Sequence, residues 1–299
     1  MGAVQLSRTV ASPNRWVWIL LTGIAVAFLI FQTRSCGREE DGLAFGSKVA
    51  IVTVNGPILD SETWIRQLAM YDERSDVKAV VLRVNSPGGG VAASQELFAK
   101  VGEVNQHKPV VVSMGSVAAS GGYYITLKAR KIMANRGTVT GSIGVIMEYP
   151  VMTGLMGKVG LEMETVKSGP LKDAGSPTRP VSAEDRAYFQ GVVGNLYEQF
   201  VSDVAQYRGL PEETVKTLAD GRVYTGVQAL ELGLVDTLGT FTDAVSLAGI
   251  LGGISGKPKT VRPVERKPLL RDLLLGTIKQ IVGEALWETP TLRWQWREK

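Results

Sequence analysis

Gly115-Ser116-Val117-Ala118-Ala119-Ser120-Gly121-Gly122-Tyr123-Tyr124, directly behind the apolar run Pro109 to Met114, is the stretch whose reading decides the fold. The pattern predicts a strand, a turn of small residues, and then a helix. Small residues at such a junction let another backbone come close, and a serine in the first helical turn faces the positive end of the helix dipole, where negative charge is stabilised. Ser120 is therefore a candidate nucleophile. The same residues fit equally a buried small side chain in tight strand-to-helix packing.

Outward from that stretch, Lys48 to Asn55 alternates with β-branched residues and closes on Asn55-Gly56-Pro57, which predicts a strand and a turn. Ser61 opens a helix to about Arg74. Val77 to Val84 is apolar apart from Lys78 and Arg83, as expected for a strand buried on both faces. It runs into Asn85-Ser86-Pro87-Gly88-Gly89-Gly90, and a helix follows from about Val91 to Val104. The order strand, glycine loop, helix, strand, small-residue turn, helix indicates an α/β architecture with parallel strands whose terminal loops build sites.

Beyond Ser120, a short strand is expected at Lys131 to Asn135, and Thr140-Gly141-Ser142-Ile143-Gly144-Val145 turns into another buried strand. Tyr149 to Gly160 reads as a lid or short helix and Leu161 to Lys167 as a strand, whereas Ser168 to Pro177 cannot stay regular for long. Ser182 opens a long helix to about Arg208, with Asp185 as its capping-box partner. Pro211 starts another helix, Thr225 caps a further one, Leu234-Val235-Asp236 reads as a terminal strand, and Phe241 to Leu251 as a last helix. Leu269 to Trp287 has an amphipathic helical pattern suited to a membrane surface or a neighbouring subunit. The closing Trp294-Gln295-Trp296-Arg297 has no account from the sequence.

With 299 residues, 44% hydrophobic and 21% charged, the composition is that of a globular domain with appendages. The net charge of +4 is mild, and its excess in Lys257, Lys259, Arg262, Arg266, Lys267 and Arg271 reads as a membrane-surface or interface feature. No nucleic-acid motif accompanies it, so no nucleic-acid partner is expected. The single cysteine, Cys36, excludes an intrachain disulfide framework and a cysteine zinc site, and no metal or other cofactor is expected. Trp16 to Phe31 carries no charge and spans about 24 Å as a helix, which Gln32 and Thr33 extend through the interface. A cleaved signal peptide is the competing reading, but no small-x-small site follows the run, which favours an uncleaved anchor at residues 16–33. Arg8 and Arg15 precede it, which places residues 1–15 in the cytoplasm and the bulk of the chain outside.

The Pro87-Gly88-Gly89-Gly90 loop has three readings. A phosphate loop needs a Lys-Ser or Lys-Thr behind it, and Val91-Ala92-Ala93 stands there instead. A plain turn is the second. The third is an oxyanion hole, because glycine amides approach closely and can aim N–H groups at the oxygen that becomes negative in acyl transfer. A serine nucleophile also needs a base. The one histidine, His107, lies at the other end of the strand that leads to Ser120, about 20 Å or more away, which disfavours a Ser-His-Asp triad. A lysine is the alternative, since desolvation lowers its pKa towards neutrality and serine-lysine dyads follow the same logic. Spacing alone does not single out Lys172.

Six motifs in order carry a resemblance: Asn85-Ser86-Pro87-Gly88-Gly89, Ala118 to Tyr124, Thr140 to Val145, Ser168-Gly169 followed by Lys172, Gly221-Arg222-Val223-Tyr224-Thr225-Gly226, and Gly233-Leu234-Val235-Asp236. From about residue 47 to 250 the chain resembles the short bacterial form of the signal peptide peptidase A family, serine-lysine peptidases of family S49 related to the Clp protease and crotonase folds. The resemblance implies repeated ββα units in a peptidase domain over 47–255, joined by a linker at 34–46 to the membrane anchor and followed by a basic, amphipathic extension over 256–299. It implies Ser120 as nucleophile, Lys172 as general base and Ser142 as the lysine's hydrogen-bond partner, with the glycine loop at Gly88 and Gly89, and Gly121, as oxyanion donors. It also implies a homo-oligomer on the cytoplasmic membrane, with the catalytic domain on the extracytoplasmic side, degrading signal peptides and other apolar peptides, in which Ser120 and Lys172 need not meet within one chain. Leu171 and Thr178 stand where the family usually has aromatic residues, a difference that bears on pocket shape. Two other classes fit the same motifs: a crotonase-type enzyme acting on an acyl thioester, and a non-catalytic membrane scaffold in which Ser120 only packs.

Overall fold

A computed structural model of the chain describes residues 46–263 and 291–295. The alternating run Lys48–Asn55 forms β1, and the near-continuous apolar run Val77–Ser86 forms β2 beside it in parallel register. β4 (Val110–Ala119) pairs parallel with β2 on one edge, while on its other edge β5 (Lys131–Ala134) takes the first half and β6 (Val139–Gly141) the last three residues. β8 (Val223–Thr225) is antiparallel to β6, β9 (Thr237–Leu238) extends β5, and β10 (Lys259–Val261) extends β1.

Both faces of this eight-stranded mixed sheet are covered, as the apolar strands require. On one face Val52, Val80, Leu82 and Val112 pack with α1 (Glu62–Glu73), α2 (Val91–His107) and α5 (Ala183–Arg208). On the other, Ile51, Val81 and Val111 pack with Ala244 and Ala248 of α8 (Phe241–Leu251). The remaining helices are short: α3 (Gly121–Tyr124), α4 (Thr153–Lys158), α6 (Glu212–Leu218) and α7 (Gly226–Glu231). Two of the three expected caps form capping boxes, Ser182 with Asp185 on α5 and Thr225 with Gln228 on α7. Ser61 stands at the start of α1 without a side-chain cap bond, and its hydroxyl donates to Glu96 Oε2 instead.

A second, three-stranded sheet was not expected. The glycine loop is itself a strand, β3 (Gly88–Gly90), and β11 (Thr291–Gln295) lies antiparallel between it and β7 (Ile146–Glu148). The register sets Trp294 against Gly89 and Leu292 against Met147.

Several local expectations need correction. Gly115–Ala119 is not a turn but the end of β4, because β6 and Ser86 of β2 close on it. The buried strand expected after Ser142 is the short, largely exposed β7, and Leu161 to Lys167 is irregular and solvent-facing, with no strand among the described residues paired to it. The terminal strand is Thr237–Leu238, just beyond Leu234 to Asp236. None of the described helices is long and apolar enough to cross a membrane, and the expected anchor at residues 16–33 and the helix at 269–287 lie outside the described residues.

Candidate active site

β4 delivers the chain to Ser120, where the backbone takes φ 54° and ψ −119°. A side chain is strained in that region, at a cost of about 1–3 kcal/mol, and such outliers persist where surrounding structure imposes them. Among the described residues, only one other non-glycine residue has positive φ, and it is Ser142, at 49°. The two serines singled out by motif are thus the two strained ones.

Neighbouring strands hold both turns. The Ser120 amide donates to the Gly141 carbonyl at 2.7 Å, and the Ser120 carbonyl accepts from the Tyr123 and Tyr124 amides, both at 2.9 Å. The Ser142 amide donates to the Arg222 carbonyl at 2.9 Å, so the Gly221 to Gly226 motif clamps the second turn. Ser120 is only 1% exposed and Ser142 7%. The helix after Ser120 is a single turn, Gly121–Tyr124, so the dipole that a long helix would bring to the serine is small. What this turn supplies is the Gly121 amide, which at the first helical position has no intrahelical acceptor.

The glycines make the close approaches possible. A Cβ on Gly89 would stand 2.1 Å from the Ile58 carbonyl oxygen, and one on Gly122 2.6 Å from that of Ser86. β3 is held on one side by reciprocal bonds with Ile58, whose amide donates to the Gly88 carbonyl at 2.9 Å and whose carbonyl accepts from Gly90 at 2.8 Å. The Gly88 amide donates to Ser86 Oγ at 3.1 Å, so it reaches an oxyanion only by sharing that bond.

The possible bases divide cleanly. His107 is the last residue of α2, its ring Nδ1 2.9 Å from Asp72 Oδ2, at the far end of β4 from Ser120. Burial pushes the Tyr123 hydroxyl well above the ordinary tyrosine range, and it donates to the Leu234 carbonyl at 2.8 Å. Burial and a hydrogen bond to Asp203 raise Tyr124 likewise, so both remain protonated. Lys172 lies in the loop between α4 and α5 and is exposed, and its side-chain amine makes no hydrogen bond or ion pair to described residues, Ser120 included. The described residues contain no cluster suited to a metal ion.

The loop around Lys172 is far more ordered than its sequence suggests. Asp173 Oδ2 accepts from Arg179 Nε at 2.9 Å, and its Oδ1 accepts from Arg179 Nη2 at 3.0 Å and Lys167 Nζ at 2.7 Å. Arg179 also forks onto Asp185, with Nη1 2.5 Å from Oδ2 and Nη2 2.8 Å from Oδ1. Arg179 and then Lys167 hold the Asp173 carboxyl down to about 2, and Arg179 and the Ser182 amide depress that of Asp185 further. Sequence reasoning missed this ion network; a cation six residues before a capping-box aspartate was its only trace.

A buried serine in a strained strand-to-helix turn, beside a glycine strand that pairs with an extended segment, is the arrangement of a serine hydrolase of the acyl-transfer class. The model of peptidase family S49 matches residues 103–254, and that of the Clp protease matches residues 44–140. A Synechocystis sp. protein provisionally named a protease is 41% identical over 251 residues, 83% of this chain and 90% of the relative. An Enterococcus faecium protein provisionally named signal peptide peptidase SppA is 40% identical over 239 residues, 75% of this chain and 69% of the relative. Protease 4 of Salmonella typhi is 36% identical over 255 residues, 81% of this chain but 41% of that longer protein. The chain belongs to peptidase family S49 and is a serine peptidase.

Proposed function

We propose that this peptidase is anchored in the cytoplasmic membrane by residues 16–33, with its catalytic domain on the extracytoplasmic side, and degrades cleaved signal peptides and other apolar peptides. The observation that carries the reading is the pair of strained serines, Ser120 and Ser142, each directly behind one of two paired strands and close to the glycine strand. The name of the Enterococcus faecium relative supports the substrate class. So does β11, an extended segment seated antiparallel on β3, which is how an edge strand accepts a peptide.

In this reading the neutral Lys172 amine takes the proton of Ser120 Oγ as that oxygen bonds to the scissile carbonyl carbon. The carbonyl π pair moves onto its oxygen, which the Gly121 and Gly89 amides, and Gly88 by sharing its bond to Ser86, stabilise. Collapse breaks the C–N bond, and the leaving amine receives the proton from Lys172. Water then repeats the sequence on the acyl-enzyme, with Ser142 orienting the lysine. Lys172 is exposed in the single chain, so its amine must be brought to Ser120 out of water. A homo-oligomer in which one subunit's lysine loop covers another's Ser120 meets that need.

Lys172→Ala should lower kcat/KM on a synthetic apolar signal peptide by about 10²–10⁴-fold, the usual range for a general base, with the oligomer intact. Wild-type hydrolysis by that variant would remove the dyad.

A further inference from the structure

The base of a serine hydrolase must sit within hydrogen-bond reach of the nucleophile, and loops that carry such groups are held by something. The segment from Lys167 to Pro180 has no regular structure to hold it. Its backbone is tied within itself by single turn bonds, with the Lys172 amide 3.2 Å from the Gly169 carbonyl, the Ala174 amide 3.1 Å from that of Leu171 and the Ser176 amide 3.0 Å from that of Asp173. One backbone bond ties the segment to α4, from the Met152 amide to the Pro177 carbonyl at 2.7 Å, and the charged contacts nearest Lys172 converge on its neighbour Asp173. Asp173 accepts three charge-assisted bonds, and Arg179 Nη2 also reaches its carbonyl at 3.2 Å. Through its other fork the same guanidinium grips Asp185, whose side chain is 2% exposed and which is fixed in the capping box of α5.

From this geometry we infer that Arg179 is a positioning residue: by bridging Asp173 to the buried Asp185 it fastens the lysine loop to the first turn of α5 and sets where the Lys172 amine points. The inference rests on Lys172 being the base. The planar fork suits this use, because one guanidinium satisfies two carboxylates in fixed geometry, which an ammonium cannot do. With Asp173 held on one side, the side chain of Lys172 projects outward, unpaired among the described residues and available to a nucleophile brought to it.

A double-mutant cycle in the full-length protein tests this. Arg179→Ala should lower kcat/KM on an apolar peptide by about 10²-fold, mostly in kcat, the scale of a misplacement near 1 Å. In a Lys172→Ala background it should lower the residual rate no further, since a group that acts only through the lysine has nothing left to act on. Asp173→Asn, which leaves the Arg179 contacts to Asp185 in place, should repeat both results if Arg179→Ala fails to fold. Ser182→Ala removes the hydroxyl cap of α5 without touching either fork and should keep the wild-type rate. Losses that add in the double variant, a wild-type rate in Arg179→Ala or Asp173→Asn, or an equal loss in Ser182→Ala would each overturn the inference. Full activity in Lys172→Ala alone would overturn the base assignment itself, a result distinct from the others.

Discussion

Strain at Ser120 can be measured apart from catalysis, by comparing two variants that both lack the hydroxyl. Ser120→Ala keeps a Cβ at φ 54° and so keeps the strain, whereas Ser120→Gly removes it. The conformation costs a side chain about 1–3 kcal/mol. Glycine gives back part of that, about 0.4–1 kcal/mol, through its greater freedom in the unfolded chain. The difference is about 1 kcal/mol in favour of glycine, an unusual sign for a site that is 1% exposed and tightly packed. For a chain of this size that is about 2–4 °C in Tm. Thermal unfolding of the two full-length variants, followed by circular dichroism, reads it directly. If Ser120→Ala melts at or above Ser120→Gly, the turn is not strained and the backbone argument for Ser120 fails.

Other consequences follow from the same structure. Gly89→Ala places a Cβ 2.1 Å from a backbone oxygen that cannot swing away, so it should cost about 1–3 kcal/mol in denaturant melts and abolish peptide hydrolysis; a near-wild-type protein would contradict the packing of β3 on Ile58. Removal of residues 264–299 vacates the place of β11 between β3 and β7, so KM for an extended apolar peptide should fall several-fold with kcat little changed, and an unchanged KM would show that β11 does not compete with substrate. The carboxyl of Asp173 lies near 2 in the folded chain and near 3.9 unfolded, so between about pH 4 and pH 2 the unfolded chain binds more protons and stability falls as the pH drops through that window. Urea melts from pH 5 to pH 2 should show a shallower slope in Arg179→Ala; an identical slope would mean the ion network is not formed in solution.

The parts of this fold that were legible in the sequence were those with a local cause. The apolar runs of β1, β2 and β4, and the Ser182 and Thr225 caps, declare themselves within a few residues. What failed was set by partners distant in sequence. Gly115 to Ala119 looks like a turn by composition and is strand because β6 pairs with it, and Gly88–Gly90 is strand because β11, some 200 positions away by the register Trp294 to Gly89, lies against it. Conversely Leu161 to Lys167 has strand-like residues and no pairing strand among the described residues. Ser120 and its glycine neighbours were visible as a pattern, whereas the positive φ that distinguishes Ser120 and Ser142 depends on β6 and the Arg222 carbonyl. The hold on the lysine loop was invisible, because Asp173 and Arg179 read singly as ordinary surface charges and Asp185 only as a helix cap, and they acquire a joint role only when one guanidinium joins them.

The assignment of Ser120 is most directly tested by treating the full-length protein with a fluorophosphonate and locating the adduct by mass spectrometry. A single adduct on Ser120, slowed by about 10²–10⁴-fold in Lys172→Ala and absent in Ser120→Ala, is the predicted result. An adduct on any other serine, or labelling of Ser120 at the same rate without Lys172, would contradict it.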